Sequence, residues 1–444
     1  MSKIVVLGGG ESGVGAALLA QSKGYEVFLS DAGTLKSEYQ QILQSNQIDF
    51  ETEKHSTDKI LEASEIIISP GIPEKSAIVQ DIKSANIPLV SEIEFASRYT
   101  KAKIIAITGS NGKTTTTLLT YHLLKEAGLK VGLAGNIGRS FAKQVMEDKM
   151  DYFVIEISSF QLDRCFQFKP DVSILLNITP DHLDRYEYKF ENYIHSKFRI
   201  FQNIDSNSTC ITWAEDEVVN QFRNKLNIGK QLAISFTNKK AAAYISENEI
   251  YFHENWKIKR VDLPIKGPHN AINLSAAVLA AEAIGISKEE IKKSLSSFIN
   301  AEHRLEPCGN WNGIEFINDS KATNVDAVYY ALNSFKKGII LIIGGVDKGN
   351  DYTVLDQLVK DKVKGIVCLG KDNEKLLKHF SPFLEHIIST ESLKEAVSKS
   401  ALWAEKGDTI LLSPACASFD LFNNYEDRGK QFKQTVKDFM NEQN

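Results

Sequence analysis

Short, predominantly apolar runs recur along the chain at residues 4–7, 27–29, 66–68, 104–107, 131–134, 153–157 and 172–176. Between them lie stretches whose apolar positions repeat at helical spacing. A strand with one wet face alternates apolar and polar residues, whereas a run without alternation is covered on both faces, as in a parallel sheet flanked by helices. The pattern predicts helices over 193–201, 269–284 and 288–298 and a further strand over 314–317. It therefore predicts an α/β chain of three doubly wound units. One break falls near 98–103, where polar Tyr99-Thr100-Lys101 precedes a new strand, and another near 300–304. The expected domains are 1–98, 99–300 and 301–444. A chain of 444 residues exceeds a single core, and no internal repeat or low-complexity segment points to a solenoid or a disordered chain.

The strand at 104–107 runs into Thr108-Gly109-Ser110-Asn111-Gly112-Lys113-Thr114-Thr115 and then into a helical pattern. Strand, glycine loop and helix in that order form a phosphate cradle. Backbone N–H groups and the helix dipole converge on anionic oxygens, a lysine reaches the outer phosphates and a hydroxyl ligates Mg²⁺. Ile107 stands where the strict P-loop has its first glycine, so the loop is the tighter Gly-x-x-Gly-Lys-Thr form. The plain alternative is a glycine turn with a surface lysine.

The mild net charge of −5, with both signs interspersed, gives neither a nucleic-acid footprint nor a polybasic membrane face. The five cysteines, Cys165, Cys210, Cys308, Cys368 and Cys416, are scattered without C-x-x-C spacing, which argues against a disulfide framework or a zinc site. No apolar run nears the ~18 residues of a membrane span, and no basic leader opens the chain. A cytoplasmic protein, read as a monomer, is expected.

Each unit carries further candidates. Gly8-Gly9-Gly10-Glu11-Ser12-Gly13 follows the first strand as G-x-G-x-x-G, with Asp31 at the end of the next strand. That fingerprint suits a dinucleotide, and it equally suits the diphosphate of a sugar nucleotide. Ser69-Pro70-Gly71 closes the third strand at the edge where doubly wound sheets bind ligands, or is an ordinary turn. In the central unit Glu156 ends a strand, where an acid can face a Mg²⁺ held by Thr114. Asp181 and His182 sit in a polar loop after the next strand, and Lys197 lies among aromatic and aliphatic neighbours, where a lysine commonly snorkels. Asn270 and Asn273 share a helix face at i, i+3 spacing. The last unit has a second glycine turn at Gly344-Gly345, followed by Lys348, and Asn318-Asp319-Ser320-Lys321 reads alternatively as a capped helix start.

The runs Thr108–Thr115, 156–162 (Glu-Ile-Ser-Ser-Phe-Gln-Leu), 181–185 (Asp-His-Leu-Asp-Arg), 318–324 (Asn-Asp-Ser-Lys-Ala-Thr-Asn) and 413–418 (Ser-Pro-Ala-Cys-Ala-Ser), in this order, closely resemble the Mur ligases of peptidoglycan synthesis. The second and fifth are the most specific to the member that adds D-glutamate. The resemblance spans all three units. It implies ATP-driven amide formation between UDP-N-acetylmuramoyl-L-alanine and D-glutamate through an acyl phosphate, with Mg²⁺ and lysine charge offsetting the repulsion of two anions.

By that resemblance Gly109, Ser110, Asn111, Gly112, Lys113, Thr114, Thr115, Asn270, Asn273, Arg304 and Asp319 hold ATP. Lys113, His182, Lys197, Asp319 and Lys321 are catalytic. Thr114, Glu156, His182 and Lys197, the last carbamylated by CO₂, are metal ligands. Ser12, Asp31, Ser69, Gly71, Asn136, Ser158 and Gln161 hold the UDP-sugar. Lys321, Thr323, Lys348, Ser418 and Tyr425 hold D-glutamate, with Tyr425 where relatives carry Phe. Ala32 and Gly33 replace the Thr and Arg that relatives often carry beside the uracil. Substrates arriving on different units imply domain closure. A sister ligase, a folate polyglutamate synthase, an NAD-dependent oxidoreductase and a nucleotide-sensing module are the rival readings.

Overall fold

The computed structural model describes residues 2–223, 228–253, 255–265 and 267–443. Three sheets follow one another along the chain. The first is wholly parallel in the order β3-β2-β1-β4-β5, built from β1 Lys3–Leu7, β2 Glu26–Ser30, β3 Asp49–Glu51, β4 Glu65–Ile68 and β5 Leu89–Ser91. The strand order reverses at β1, so the turns after β1 and β4 flank the crevice where such sheets take ligands.

The second sheet runs β14-β13-β12-β11-β10-β9-β6-β8-β7. Its strands are β6 Lys103–Thr108, β7 Val131–Gly135, β8 Tyr152–Glu156, β9 Val172–Leu175, β10 Thr209–Trp213, β11 Lys230–Ser235, β12 Ala243–Ile245, β13 Glu249–Phe252 and β14 Trp256–Lys259. The strands from β7 to β12 are parallel, and β13 and β14 extend the edge antiparallel. That extension escapes an apolar-run search because β13 alternates: Ile250 and Phe252 are buried while Glu249 and Tyr251 are partly exposed. Beside β6, the register sets Glu156 of β8 opposite Ile107 and Leu175 of β9 opposite Thr108.

The third sheet, β15-β16-β20-β17-β18-β19, comprises β15 Glu306–Trp311, β16 Ile314–Asn318, β17 Ile339–Ile343, β18 Val363–Leu369, β19 His386–Thr390 and β20 Thr409–Leu412. All its pairs are parallel except the β15–β16 hairpin. This is a three-domain, mostly parallel α/β fold. The helix predicted over 193–201 begins earlier, as Phe190–Phe198, and tightens into a 3₁₀ turn at Arg199–Phe201. The helix predicted over 288–298 is Lys288–Leu295, closed at its start by a Ser287–Glu290 capping box.

By compactness the chain divides into two units: residues 1–263 with 272–298, and residues 264–271 with 299–444. The first and second sheets share one core, in which Leu19 and Phe95 pack with Phe141, Phe153 and Leu162. Polar contacts reinforce this seam. The buried Glu94 carboxylate accepts the backbone N–H groups of Phe166, Gln167 and Phe168 and pairs with Arg98. Glu92 accepts Ser140 Oγ at 2.5 Å and the Ala142 N–H at 2.9 Å. Burial pushes the Glu92 carboxyl up to about 7. Among the described residues no helix is long and apolar enough to cross a membrane.

Candidate active site

The loop after β6 is shaped by two glycines at positive φ, Gly109 at +152° and Gly112 at +85°. A Cβ on Gly112 would stand 2.3 Å from Asn273 Oδ1, so the loop and this asparagine approach too closely for any side chain. The helix Lys113–Glu126 starts immediately after and aims its N-terminus at the loop. Asn177, just past β9, fixes the other side, accepting the Ser110 N–H through its carbonyl at 2.9 Å and the Asn111 N–H through Oδ1 at 2.8 Å.

Two lysines converge on one oxygen. Lys113 Nζ donates to the carbonyls of Gly109 and Ser110, each at 2.8 Å, and Lys197 Nζ donates to the same Gly109 carbonyl at 2.8 Å. Lys197 is 1% exposed and lies 4.6 Å from the Tyr193 ring centroid. Its neighbours are fixed in turn, Tyr193 Oη lying 3.1 Å from Ser110 Oγ. Burial first, and the Lys113 charge second, hold the Lys197 amine well below the ordinary lysine range. A neutral amine is the form that adds to CO₂.

Glu156 is 1% exposed at the end of β8. One of its oxygens accepts Asn136 Nδ2 at 2.8 Å, and the other is buried with no hydrogen-bond partner. A buried carboxylate oxygen without a donor is costly, and a divalent cation satisfies it. No cluster of three His, Cys, Asp or Glu side chains exists among the described residues. A cation at Glu156 would complete its shell from hydroxyl, phosphate or carbamate oxygens, which suits Mg²⁺ rather than a metal needing an all-protein cage.

His182 sits at φ +52°, its ring edge-on to Phe160 at 5.1 Å and its Nε2 3.6 Å from Asp181. Phe160 stacks on Tyr186 and carries the Arg185 guanidinium 4.5 Å from its centroid. Arg185 donates to the carbonyls of Pro70 and Ile72 at 3.2 and 3.4 Å, tying the turn after β4 to the His182 loop. Neither Phe160 nor Arg185 was singled out from sequence. Their only signal there is adjacency, Arg185 closing the run that holds His182.

The UDP-sugar candidates separate into two groups. Ser12, Ser69 and Gln161 line one cleft together with Pro70, Phe160, Arg164 and Arg185. Asp31 instead organises the glycine turns, accepting the Gly9 N–H at 2.5 Å and the Gly33 N–H at 2.7 Å. Asn136 turns to Glu156, and Ser158 forms a capping box with Gln161. Gly71 lies in the turn after β4, between the cleft-lining Pro70 and Ile72.

The second unit gathers its candidates at the carboxyl ends of three adjacent strands, β16, β20 and β17. The loops after them are laced together: Ala415 N–H donates to Ala322 O, Gly344 N–H to Pro414 O and Val346 N–H to Ala417 O. Lys321 and Thr323, Lys348, and the buried Ser418 stand on these three loops. Lys321 Nζ lies 3.5 Å from the centroid of the Tyr425 ring, a cation–π contact that phenylalanine would also supply. Asp319 accepts Ser413 Oγ at 2.9 Å and the Leu305 N–H at 3.1 Å, and burial lifts its carboxyl to about 7 against the lowering influence of Arg304. Asn270, buried, falls in the short 264–271 segment of this unit, while Asn273 belongs to the first.

Against known proteins, residues 3–78 match the MurD N-terminal domain, 107–281 the Mur ligase middle domain and 303–416 the Mur ligase glutamate ligase domain. The UDP-N-acetylmuramoylalanine--D-glutamate ligase of Cytophaga hutchinsonii is 52% identical over 98% of both chains. The enzyme of that name from Bacteroides fragilis is 48% identical over 99% of this chain and all of its own. Among solved structures, the UDP-N-acetylmuramate-alanine ligase of Thermotoga maritima superposes with a TM-score of 0.62 at 18% identity, covering 99% of this chain and 100% of that one. The MurF ligase of the same organism, solved with ADP, gives 0.65 at 15% identity over 94% and 96% of the two chains. With about half of all positions shared end to end, the chain belongs to the Mur ligase family, among its UDP-N-acetylmuramoylalanine--D-glutamate ligases.

Proposed function

We propose that this chain joins D-glutamate to UDP-N-acetylmuramoyl-L-alanine at the expense of ATP, in peptidoglycan synthesis. The supporting observation is the P-loop at Gly109–Thr114 with two lysines on one carbonyl and a buried, half-satisfied Glu156 beside it. The L-alanyl carboxylate attacks the γ-phosphorus, the β–γ bridging bond breaks, and ADP leaves. The D-glutamate amine then attacks the acyl phosphate carbon, loses a proton, and expels inorganic phosphate from the tetrahedral intermediate.

Lys113 exchanges the Gly109 and Ser110 carbonyls for γ-phosphoryl oxygens, which are stronger acceptors. Thr114, Glu156, His182 and a carbamylated Lys197 would hold Mg²⁺, whose charge offsets the repulsion between carboxylate and phosphate. Carbamylation turns Lys197 from a cation that opposes a metal into an oxygen ligand. Gly109 to Thr115, with Asn270, Asn273, Arg304 and Asp319, bind ATP. Ser12, Asp31, Ser69, Gly71, Asn136, Ser158 and Gln161 take the UDP-sugar. Lys321, Thr323, Lys348, Ser418 and Tyr425 take D-glutamate, a diacid that needs several donors. Domains of 1–98, 99–300 and 301–444 are organised around the UDP-sugar, ATP and the amino acid, respectively. Free cysteines throughout the chain agree with a reducing cytoplasm.

The test is phosphate release from Mg-ATP with UDP-N-acetylmuramoyl-L-alanine, comparing D-glutamate, L-glutamate and no amino acid. Release that requires D-glutamate, with a product one glutamyl unit heavier, supports the reading. Release with no preference among the three overturns it.

A further inference from the structure

Arg428 is 2% exposed, in the first turn of the helix Tyr425–Glu442. A buried arginine is normally matched by an acid. Among the described residues the guanidinium donates only to neutral oxygens: Nε to Ser320 Oγ at 3.0 Å, one terminal nitrogen to Ser320 O at 2.9 Å and Cys416 O at 3.2 Å, and the other to Gly344 O at 3.4 Å. The nearby acids are engaged elsewhere. Asp347 pairs with Lys375 at 3.2 Å and accepts Tyr352 Oη, Asp319 accepts Ser413 and Leu305, and Asp420 accepts the Lys371 N–H and acts on Arg428 only at longer range. Burial pushes the guanidinium down to about 10, which leaves it charged at neutral pH.

Its three carbonyl partners are informative. Ser320 precedes Lys321, Gly344 opens the loop of Lys348, and Cys416 lies two residues before Ser418. The cation therefore sits beneath all three loops of the proposed amino-acid site. Neutral donors could tether those carbonyls without burying a charge. A positive charge becomes useful when an anion docks above it. The amino acid brings two carboxylates against one ammonium, and its amine must shed a proton before it attacks, so negative charge grows as the reaction proceeds.

We propose that Arg428 is a positioning residue whose buried charge balances an incoming dicarboxylate amino acid, acting through the Ser320, Gly344 and Cys416 loops without touching the substrate. This inference rests on the amino-acid site assigned above. The wild type is assayed first, because absence of D-glutamate-dependent phosphate release would refute the function and not this role. KM values for D-glutamate, UDP-sugar and ATP are then measured for Arg428→Lys and Arg428→Gln, with Arg428→Met replacing Gln if the latter does not fold. Loss of charge raises the KM for D-glutamate tenfold or more and leaves the other two within twofold. Arg428→Lys, which keeps the charge and loses the fork, stays within threefold of wild type for D-glutamate although its melting temperature falls. Equal impairment of the lysine and neutral variants, or a uniform rise in all three KM values, would show a purely structural tether and overturn the proposal.

Discussion

Lys197→Met separates the chemistry of this lysine from its packing. The wild-type ammonium is fully buried, with one carbonyl acceptor and the Tyr193 ring for company. Methionine fills similar space without a charge. The substitution removes one hydrogen bond, worth about 1 kcal/mol, and with it the desolvation penalty. Because burial holds the folded amine below its ordinary value, the native chain binds fewer protons than the unfolded one. Wild-type stability therefore rises with pH, between the lowered folded value and the usual ~10.4, by up to about 1.4 kcal/mol per pH unit. The variant lacks this slope. Urea unfolding of both proteins from pH 7 to 10 in CO₂-depleted buffer should show the variant the more stable at low pH and its advantage shrinking as pH rises. Added bicarbonate should raise wild-type stability, because carbamate forms only on the folded amine, while keeping the slope that the unfolded lysine sets, and should leave the variant unchanged. Turnover of the variant should fall about 100-fold or more, as for loss of a metal-site group. A stability difference that is flat with pH, or turnover within a few-fold of wild type, would refute this account of Lys197.

Gly112→Ala forces a Cβ to within 2.3 Å of Asn273 Oδ1 at φ +85°; it should lose about 1–2 kcal/mol from backbone strain alone and weaken ATP binding tenfold or more by calorimetry. Gly13→Ala sets a Cβ 1.8 Å from the Gly8 carbonyl oxygen, so the turn after β1 must open; the expected result is a higher KM for the UDP-sugar with that for ATP preserved. Glu92→Gln removes a carboxyl whose folded value is raised to about 7 from 4.5. The wild type loses that stability as pH climbs through this window, so the variant should gain about 3 kcal/mol relative to wild type between pH 4 and 8, read as a pH-dependent difference in unfolding free energy.

Legibility from sequence tracked locality. The phosphate loop, the strand-end Glu156 and the parallel strands are written in contiguous residues, and the backbone alone realises them. Lys197 could be named only through the family motif order, since its distinguishing property is a carbonyl 88 positions away. Ser158 and Gln161 were named only through the family motif, and their capping of one another, with Gln161 also lining the cleft, needed the fold to be seen. The antiparallel edge at β13–β14 stayed hidden because its burial alternates. Arg428 was invisible because an arginine at the start of an amphipathic helix reads as a solvated face. Its burial arises only when the ends of β16, β17 and β20 close over it.

The Glu94 carboxylate, which holds three backbone amides from residues 166–168, bears on how such a chain can be inherited. Exchanging residues 1–98 between relatives would look innocuous at a polar seam. It would nevertheless import a helix whose acid must find those amides, and a face that must fit Phe141 and Leu162. A recombinant joined near residue 100 inherits only half of a mutual fit, whereas one joined beyond Phe168 carries both halves. Chimeras cut at the two places should differ sharply in soluble yield, and natural exchange of the first sheet is constrained to travel with the segment on which it docks.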